Sequence, residues 1–357
     1  NPYPGLIRLL EHSDDLIPGY AIFSIFLILE AGSNTTSDSE PHPHYETFQV
    51  CDGIKKIFDL FQKNRSKFSR ERSALCLGFL FKSHEIADPI MRHEIINYLK
   101  YLLYDPYNWV KEKTKDALKF LAQNETNRFE ILNNFNLNAI ADCLKIDFQG
   151  SIFETQEITK MQEARCLLIY SILYGREDLQ IRRDLVNAGI VDALLHIFSS
   201  RLLESITRPY TQAFLVFTYP SNIDLCLLLI EKSPFYPLLR LFDHKDENVV
   251  RDAIVSINNI LYCTALGTEL TQQHPQYKDI DFAGGIVKIY SLFKRTANEL
   301  IKVISAICFG IVFRSQEIKD STMKKDIIAD LKSKIEDPQE DIRKLGEIES
   351  GDFTPSE

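Results

Sequence analysis

The chain has 357 residues, is 45% apolar, holds only 14 Gly and 14 Pro, and carries a formal charge of −9. That composition excludes a disordered or collagen-like chain. The acidic balance argues against nucleic-acid binding, since phosphate contact needs basic surface, and fits a soluble protein with proteins as partners.

Along the chain, apolar residues recur three and four apart, which is the helical period. Helices rich in Ala and apolar residues are expected near Ala21, Ala74, Ala117, Ala164, Ala213, Ala253 and Ala306. Each accompanies a second amphipathic helix: Gly5–Glu11, Gly53–Gln62, Pro89–Leu103, Asn138–Lys145, Gly189–Phe198, Pro237–Phe242, Gly285–Phe293 and Met323–Ile335. Gly189 and Gly285 sit at corners that want positive φ or close packing. Asp14-Asp15, Asp105-Pro106, Asp246-Glu247-Asn248 and Asp337-Pro338 read as helix starts, where side-chain oxygens accept from free backbone N–H groups. The apolar run Ala21–Leu29 follows two acids and is too short to cross a bilayer, so no membrane association is expected. Strand-like alternation does not persist. Residues 32–46 read as a polar loop insertion, and 348–357 as an acidic, disordered tail. Asn1-Pro2 begins in mid-pattern without Met, so a piece of a longer protein is expected.

The chain also repeats itself. Shifted by 232 residues, residues 2–111 fall without a gap on 234–343, identical at about a third of positions. Gly53-Ile54-Lys55-Lys56-Ile57 lies on Gly285-Ile286-Val287-Lys288-Ile289, and His42-Pro43-His44-Tyr45 on His274-Pro275-Gln276-Tyr277. The duplication of 1–111 as 233–343, with its shorter internal beat, marks a helical repeat array over 1–347.

Two segments carry a family resemblance. Asp184-Leu185-Val186-Asn187-Ala188-Gly189-Ile190-Val191-Asp192-Ala193-Leu194-Leu195 resembles the join of first and second helices in an armadillo repeat. Asn248–Leu261 resembles its third helix. The resemblance implies an all-α, armadillo-like α-α superhelix, a right-handed solenoid of about seven to eight repeats. It also implies a concave face of third helices that holds extended peptides. The nuclear-import adaptors of the family carry a Trp–Asn ladder there. Here Asn259 matches one Asn position, Phe79, Phe120, Ile172 and Ile311 stand at others, and the single Trp, Trp109, sits at a helix start. Recognition of long basic peptides is therefore not expected.

The candidate partner-binding residues are Asn259, Val255, Tyr219, Tyr210, Phe120 and Phe79. Within Arg208–Pro220, Phe214 and Phe217 read as a buried stripe, while Tyr210 and Tyr219, with polar tips, read as surface anchors. His42, His44 and His274 lack the further ligands of a zinc site and read as a structural loop that packs Tyr45 or Tyr277 onto the array. The basic run Lys55, Lys56, Lys63, Arg65, Lys67, Arg70 and Arg72 is not kept in the duplicate and reads as a solvated helix face. The seven cysteines form no CxxC pair and read as buried thiols of a reducing compartment, cytoplasmic or nuclear. Catalytic motifs are missing, so no enzyme activity, cofactor or metal is expected. The leading expectation is a non-enzymatic scaffold that binds a protein or peptide segment along the concave face. The alternatives are a regulatory array attached to a catalytic domain such as a kinase, or a transport adaptor for cargo. A nucleic-acid surface at Lys55–Arg72 ranks behind these.

Overall fold

The computed structural model describes residues 2–133, 135–148 and 151–335. Among these there are twenty α-helices, two short 3-10 turns and no strand. They group into two compact units, Asn1–Arg176 and Glu177–Glu357, where the sequence reading draws one array over 1–347. The second copy beyond residue 335, the helix start at Asp337-Pro338 and the acidic segment 348–357 lie outside the described residues.

The first unit holds α1 (Tyr3–Leu9), α2 (Leu16–Ser33), α3 (Tyr45–Val50), α4 (Gly53–Lys63), α5 (Lys67–Leu80), α6 (Pro89–Leu102), α7 (Asn108–Leu121), α8 (Glu125–Leu132), α9 (Leu137–Leu144) and α10 (Ile152–Leu173). The long helices pack in series, α2 on α5, α5 on α7, and α7 on α10. The second unit holds α11 (Leu179–Asn187), α12 (Ile190–Ser200), α13 (Arg208–Thr218), α14 (Ile223–Glu231), α15 (Phe235–Arg240), α16 (Glu247–Leu266), α17 (Tyr277–Phe282), α18 (Gly285–Arg295), α19 (Glu299–Val312) and α20 (Ser321–Ile335). Its long helices run α13 on α16 and α16 on α19. Stacked long helices bury their apolar stripes between neighbours, which is how a repeat array builds a core lengthwise.

The helix starts follow from the sequence. Ser66, Asp88, Asn124, Asn136, Asp178, Asn222, Asp246 and Asn298 each accept from a first-turn N–H. Gly189 takes φ 85 at the corner before α12. Before α18 the two demands are split. Gly284 takes φ 72, while a Cβ on Gly285 would come within 2.8 Å of Ile280 and 3.0 Å of Leu239. In the first copy Asp52 holds the left-handed position with φ 55, and Gly53 is crowded by Phe48 and Ile7.

The duplication preserves a whole latch. His42 Nε2 donates to the Leu29 carbonyl (2.8 Å), and His274 Nε2 does so to Leu261 (3.0 Å). In each, Nδ1 accepts from the backbone two residues on. Both nitrogens of the ring are thereby used, which leaves His42 no lone pair for a metal. Tyr45 stacks on His84 and meets Phe81 edge-on, and Tyr277 meets Phe313 edge-on. Lys82 donates to Ser33 O, Thr36 O and Thr36 Oγ1, and its counterpart Arg314 to Ala265 O, Thr268 Oγ1 and Gln272 O.

The run Ala21–Leu29 is only the middle of α2, which has 18 residues and enough apolar character to cross a bilayer; α16 is similar. Length alone therefore does not exclude a span. Burial of Ala21, Ile22, Ile25, Phe26 and Leu29 within the fold accounts for the apolar run of α2.

Candidate binding groove

A surface recess with an aromatic wall lies where α5 and α7 begin. Ser66 caps α5 through the Ser69 N–H. Asp105 is buried and joins the two helix starts: one oxygen accepts from the Tyr107 N–H (2.9 Å), the other from Lys67 Nζ (2.8 Å). These bonds fix Phe68 and Arg72 on α5 opposite Tyr107 and Trp109. Together with Val110 and Glu71 they line a recess of about 520 Å³.

Arg72 is the centre of this wall. Its guanidinium carbon lies 4.2 Å from the Phe68 ring, 4.8 Å from Trp109 and 5.9 Å from Phe23. Arg72 Nη1 donates to Glu71 Oε2 at 2.8 Å, and Glu71 is itself buried. Burial lowers the Arg72 pKa from its ordinary value, and the Glu71 carboxylate beside it favours the charge. A guanidinium held between rings is a rigid cation–π arrangement. Phe68, Trp109 and Tyr107 stay 40%, 38% and 69% exposed, so the aromatic faces are open to an incoming side chain. Trp109 leans edge-on against Phe26, which meets Phe79, which in turn meets Phe120.

That row places two of the expected partner residues. Phe79 and Phe120 are buried, 2% and 4% exposed, and offer no side chain to a ligand; they sit near the C-terminal ends of α5 and α7, away from the groove at the helix starts. Ile172 and Ile311 are likewise buried. Tyr210, expected at the surface, is fully buried. Its polar tip is satisfied inside, by the guanidinium of Arg201 at 3.4 Å. Phe214 and Phe217 are core residues. Tyr219 is 57% exposed at the end of α13. Val255 and Asn259 are half-buried on α16, and Asn259 Nδ2 donates to Thr218 Oγ1 at 3.0 Å. Tyr219, Val255 and Asn259 belong to the second unit and line none of the groove.

The basic run is not a bare solvated face. Lys56 pairs with Glu11, Arg65 with Asp15, Lys67 with Asp105 and Glu71, and Arg72 with Glu71. On α7, Lys111 pairs with Glu163, Lys113 with Glu30 and Lys119 with Asp38. By sequence Arg72 reads as part of the basic run and Trp109 as a helix-start residue, and Phe68 and Tyr107 carry no motif; one signal still marks all four. Their counterparts in the second copy are Leu300, Ile304, Gln339 and Asp341, so the groove chemistry is private to the first copy.

Within each unit the described helices pack in series, the arrangement of an all-α helical repeat. Among solved structures the chain is similar to an engineered protein from a structural-genomics programme, with a TM-score of 0.52 and 16% identity over 97% of this chain and 77% of that one. It is also similar to a designed armadillo repeat protein (TM-score 0.43, 16% identity, 87% and 99% covered). A third is a designed armadillo repeat protein in complex with the peptide (KR)4 (TM-score 0.43, 15% identity, 87% and 100% covered). At such identities the likeness speaks to fold alone. No protein-family model and no curated protein matches the chain.

Proposed function

We propose that this chain is a non-enzymatic, peptide-binding repeat scaffold, and that the recess between α5 and α7 anchors an extended segment of a partner protein through an apolar or aromatic side chain. The carrying observation is the exposed aromatic wall of Phe68, Tyr107 and Trp109, braced by Arg72 and Glu71. Rigid aromatics beside a desolvated Arg are the composition of energetic anchor points at interfaces. The fold does not require Phe68 and Arg72, since the second copy forms the corresponding helix with Leu300 and Ile304 in their places. The seven cysteines form no disulfide and five of them are buried, which fits a reducing compartment such as the cytoplasm.

Trp109 is the only tryptophan, so its emission reports on the groove directly. The test is selection of binders from a displayed peptide library on the intact chain, followed by fluorescence titration of the winners. Selected peptides should shift the Trp109 emission saturably, and Phe68→Ala should weaken them at least about tenfold, the scale of one lost anchor. Winners that leave the emission unmoved, or that bind Phe68→Ala as well as the parent, would remove the groove from the reading.

A further inference from the structure

A second recess lies on the other side of α5, against α4 and α6. It measures about 590 Å³ and is lined by Phe61, Gln62, Arg70, Glu94, Asn97 and Tyr98, among others. Arg70 lies at its heart. Its guanidinium carbon is 4.8 Å from the Phe61 ring and 4.6 Å from the Tyr98 ring. The Nε atom is buried and, among the described residues, has no acceptor, and no described carboxylate comes within ion-pair distance of the guanidinium. The nearby acids are engaged elsewhere: Glu94 accepts from Gln62 (3.3 Å), and Glu130 from His93 (2.9 Å).

The second copy supplies the control. The same recess recurs there, lined by Phe293, Lys294, Lys302, Asp326, Ala329 and Asp330, the residues 232 positions on from Phe61, Gln62, Arg70, Glu94, Asn97 and Tyr98. The rim contact is kept, as Lys294 donates to Asp326 at 2.7 Å. The cation is kept too, with Lys302 Nζ 5.6 Å from the Phe293 ring. The difference is its partner. Lys302 has Asp330 at 3.5 Å, whereas Arg70 has a tyrosine ring where that carboxylate would stand. The second recess is also about half as large, at about 290 Å³.

We propose that the recess between α4, α5 and α6 binds an external oxyanion, a carboxylate or phosphoryl group, on the guanidinium of Arg70. The Phe61 and Tyr98 rings stand edge to face with centroids 5.3 Å apart, so they flank the cation on one side and leave its outer N–H edges for an oxyanion. Those edges match two oxygens of a carboxylate or phosphate in a bidentate pair. Asn97 stands on the same wall as a further polar group. The first copy has exchanged its built-in carboxylate for a ring and for space. This site is separate from the aromatic groove and does not rest on the peptide reading.

The test is a titration of the full chain, labelled with 15N-arginine, that follows the Arg70 Nε–Hε resonance, assigned by its loss in Arg70→Lys. The probes are inorganic phosphate, glutarate, and a Gly-Ser peptide carrying one phosphoserine. The parent should show a saturable shift with at least one probe. Saturation by the small ions marks a free anion as the source, and saturation by the peptide alone marks a side chain of a partner segment. Tyr98→Asp reinstates the arrangement that the second copy folds with, and should weaken binding at least about tenfold, the scale of one charge-assisted bond. Asp330→Tyr combined with Lys302→Arg provides a second reading, since the new arginine Nε–Hε resonance in the second recess should respond to the same probe. A shift that rises without saturating for every probe, or a folded Tyr98→Asp that binds as the parent does, would overturn the proposal.

Discussion

Lys82 carries its ammonium to the carbonyl of Ser33, 2.8 Å away, inside the fold. The same nitrogen reaches Thr36 O (3.0 Å) and Thr36 Oγ1 (3.1 Å), so one side chain from the end of α5 closes the polar loop that follows α2. Lys82→Met should leave those carbonyls without a donor and cost about 1–3 kcal/mol. Hydrogen exchange should show residues 33–38 opening first. Lys82→Arg should be tolerated, because Arg314 performs the same closure in the second copy. Equal melting of Lys82→Met and parent would show that the loop holds by other means.

His42 makes the fold acid-sensitive. Its Nδ1 accepts from the His44 N–H, so Nε2 carries the proton given to Leu29, and a second proton would break the first bond. Burial accordingly pushes its pKa down from 6.5 to about 4, and His274 moves the same way for the same reason. The folded pKa lies below the unfolded one, so the unfolded chain binds more protons in between. Stability from His42 is complete above about pH 6.5 and falls as pH drops towards about 4, by about 3 kcal/mol at most. Denaturant titrations across that window should show a flatter acid limb for His42→Gln/His274→Gln than for the parent. Parallel limbs would mean that the rings are not buried as neutral species.

Asn259 ties α16 to α13 through Thr218. A double-mutant cycle of Asn259→Ala and Thr218→Val should give a coupling of about 0.5–1.5 kcal/mol, that of one half-buried neutral hydrogen bond. A coupling near zero would leave the amide unengaged by Thr218 and available to a ligand.

Much of this architecture was legible in the sequence because it is local. Helical spacing gave the buried stripes, and Asp246 caps α16 as expected, whereas Asp15 makes no cap bond before α2 and Asp105 bonds the Tyr107 N–H just ahead of α7. The retained His-Pro-x-Tyr named the latch, in which Tyr45 and Tyr277 do pack on Phe81 and Phe313. The groove was not legible, because Phe68 and Trp109 lie some forty residues apart and meet around Arg72 only when α5 and α7 pack. A family pattern also drew attention to positions near the helix C-termini, where Phe79 and Phe120 turn out to be core, and away from a Trp at a helix start. Tyr210 misled for another reason. A hydroxyl argues for water only when nothing inside accepts or donates to it, and Arg201 comes from a loop no periodicity describes. The basic run hid its pairing in the same way, since Asp15 and Asp105 are remote in sequence.

The sharpest check on the core is Ile257. It is fully buried on α16, which packs against both α13 and α19. A carboxylate there would lose its water with no cation facing it, and a buried unpaired charge belongs to the small class of substitutions that cost about 4 kcal/mol or more. Because repeats hold one another through shared apolar faces, the loss should not stay in one helix. Ile257→Asp should therefore deprotect α13, α16 and α19 together in hydrogen exchange and lower the thermal midpoint of the second unit. Val50→Asp, at a site 89% exposed, should do neither. If Ile257→Asp opened α16 alone, the three helices would be independent elements and the second unit would not be a cooperative repeat array.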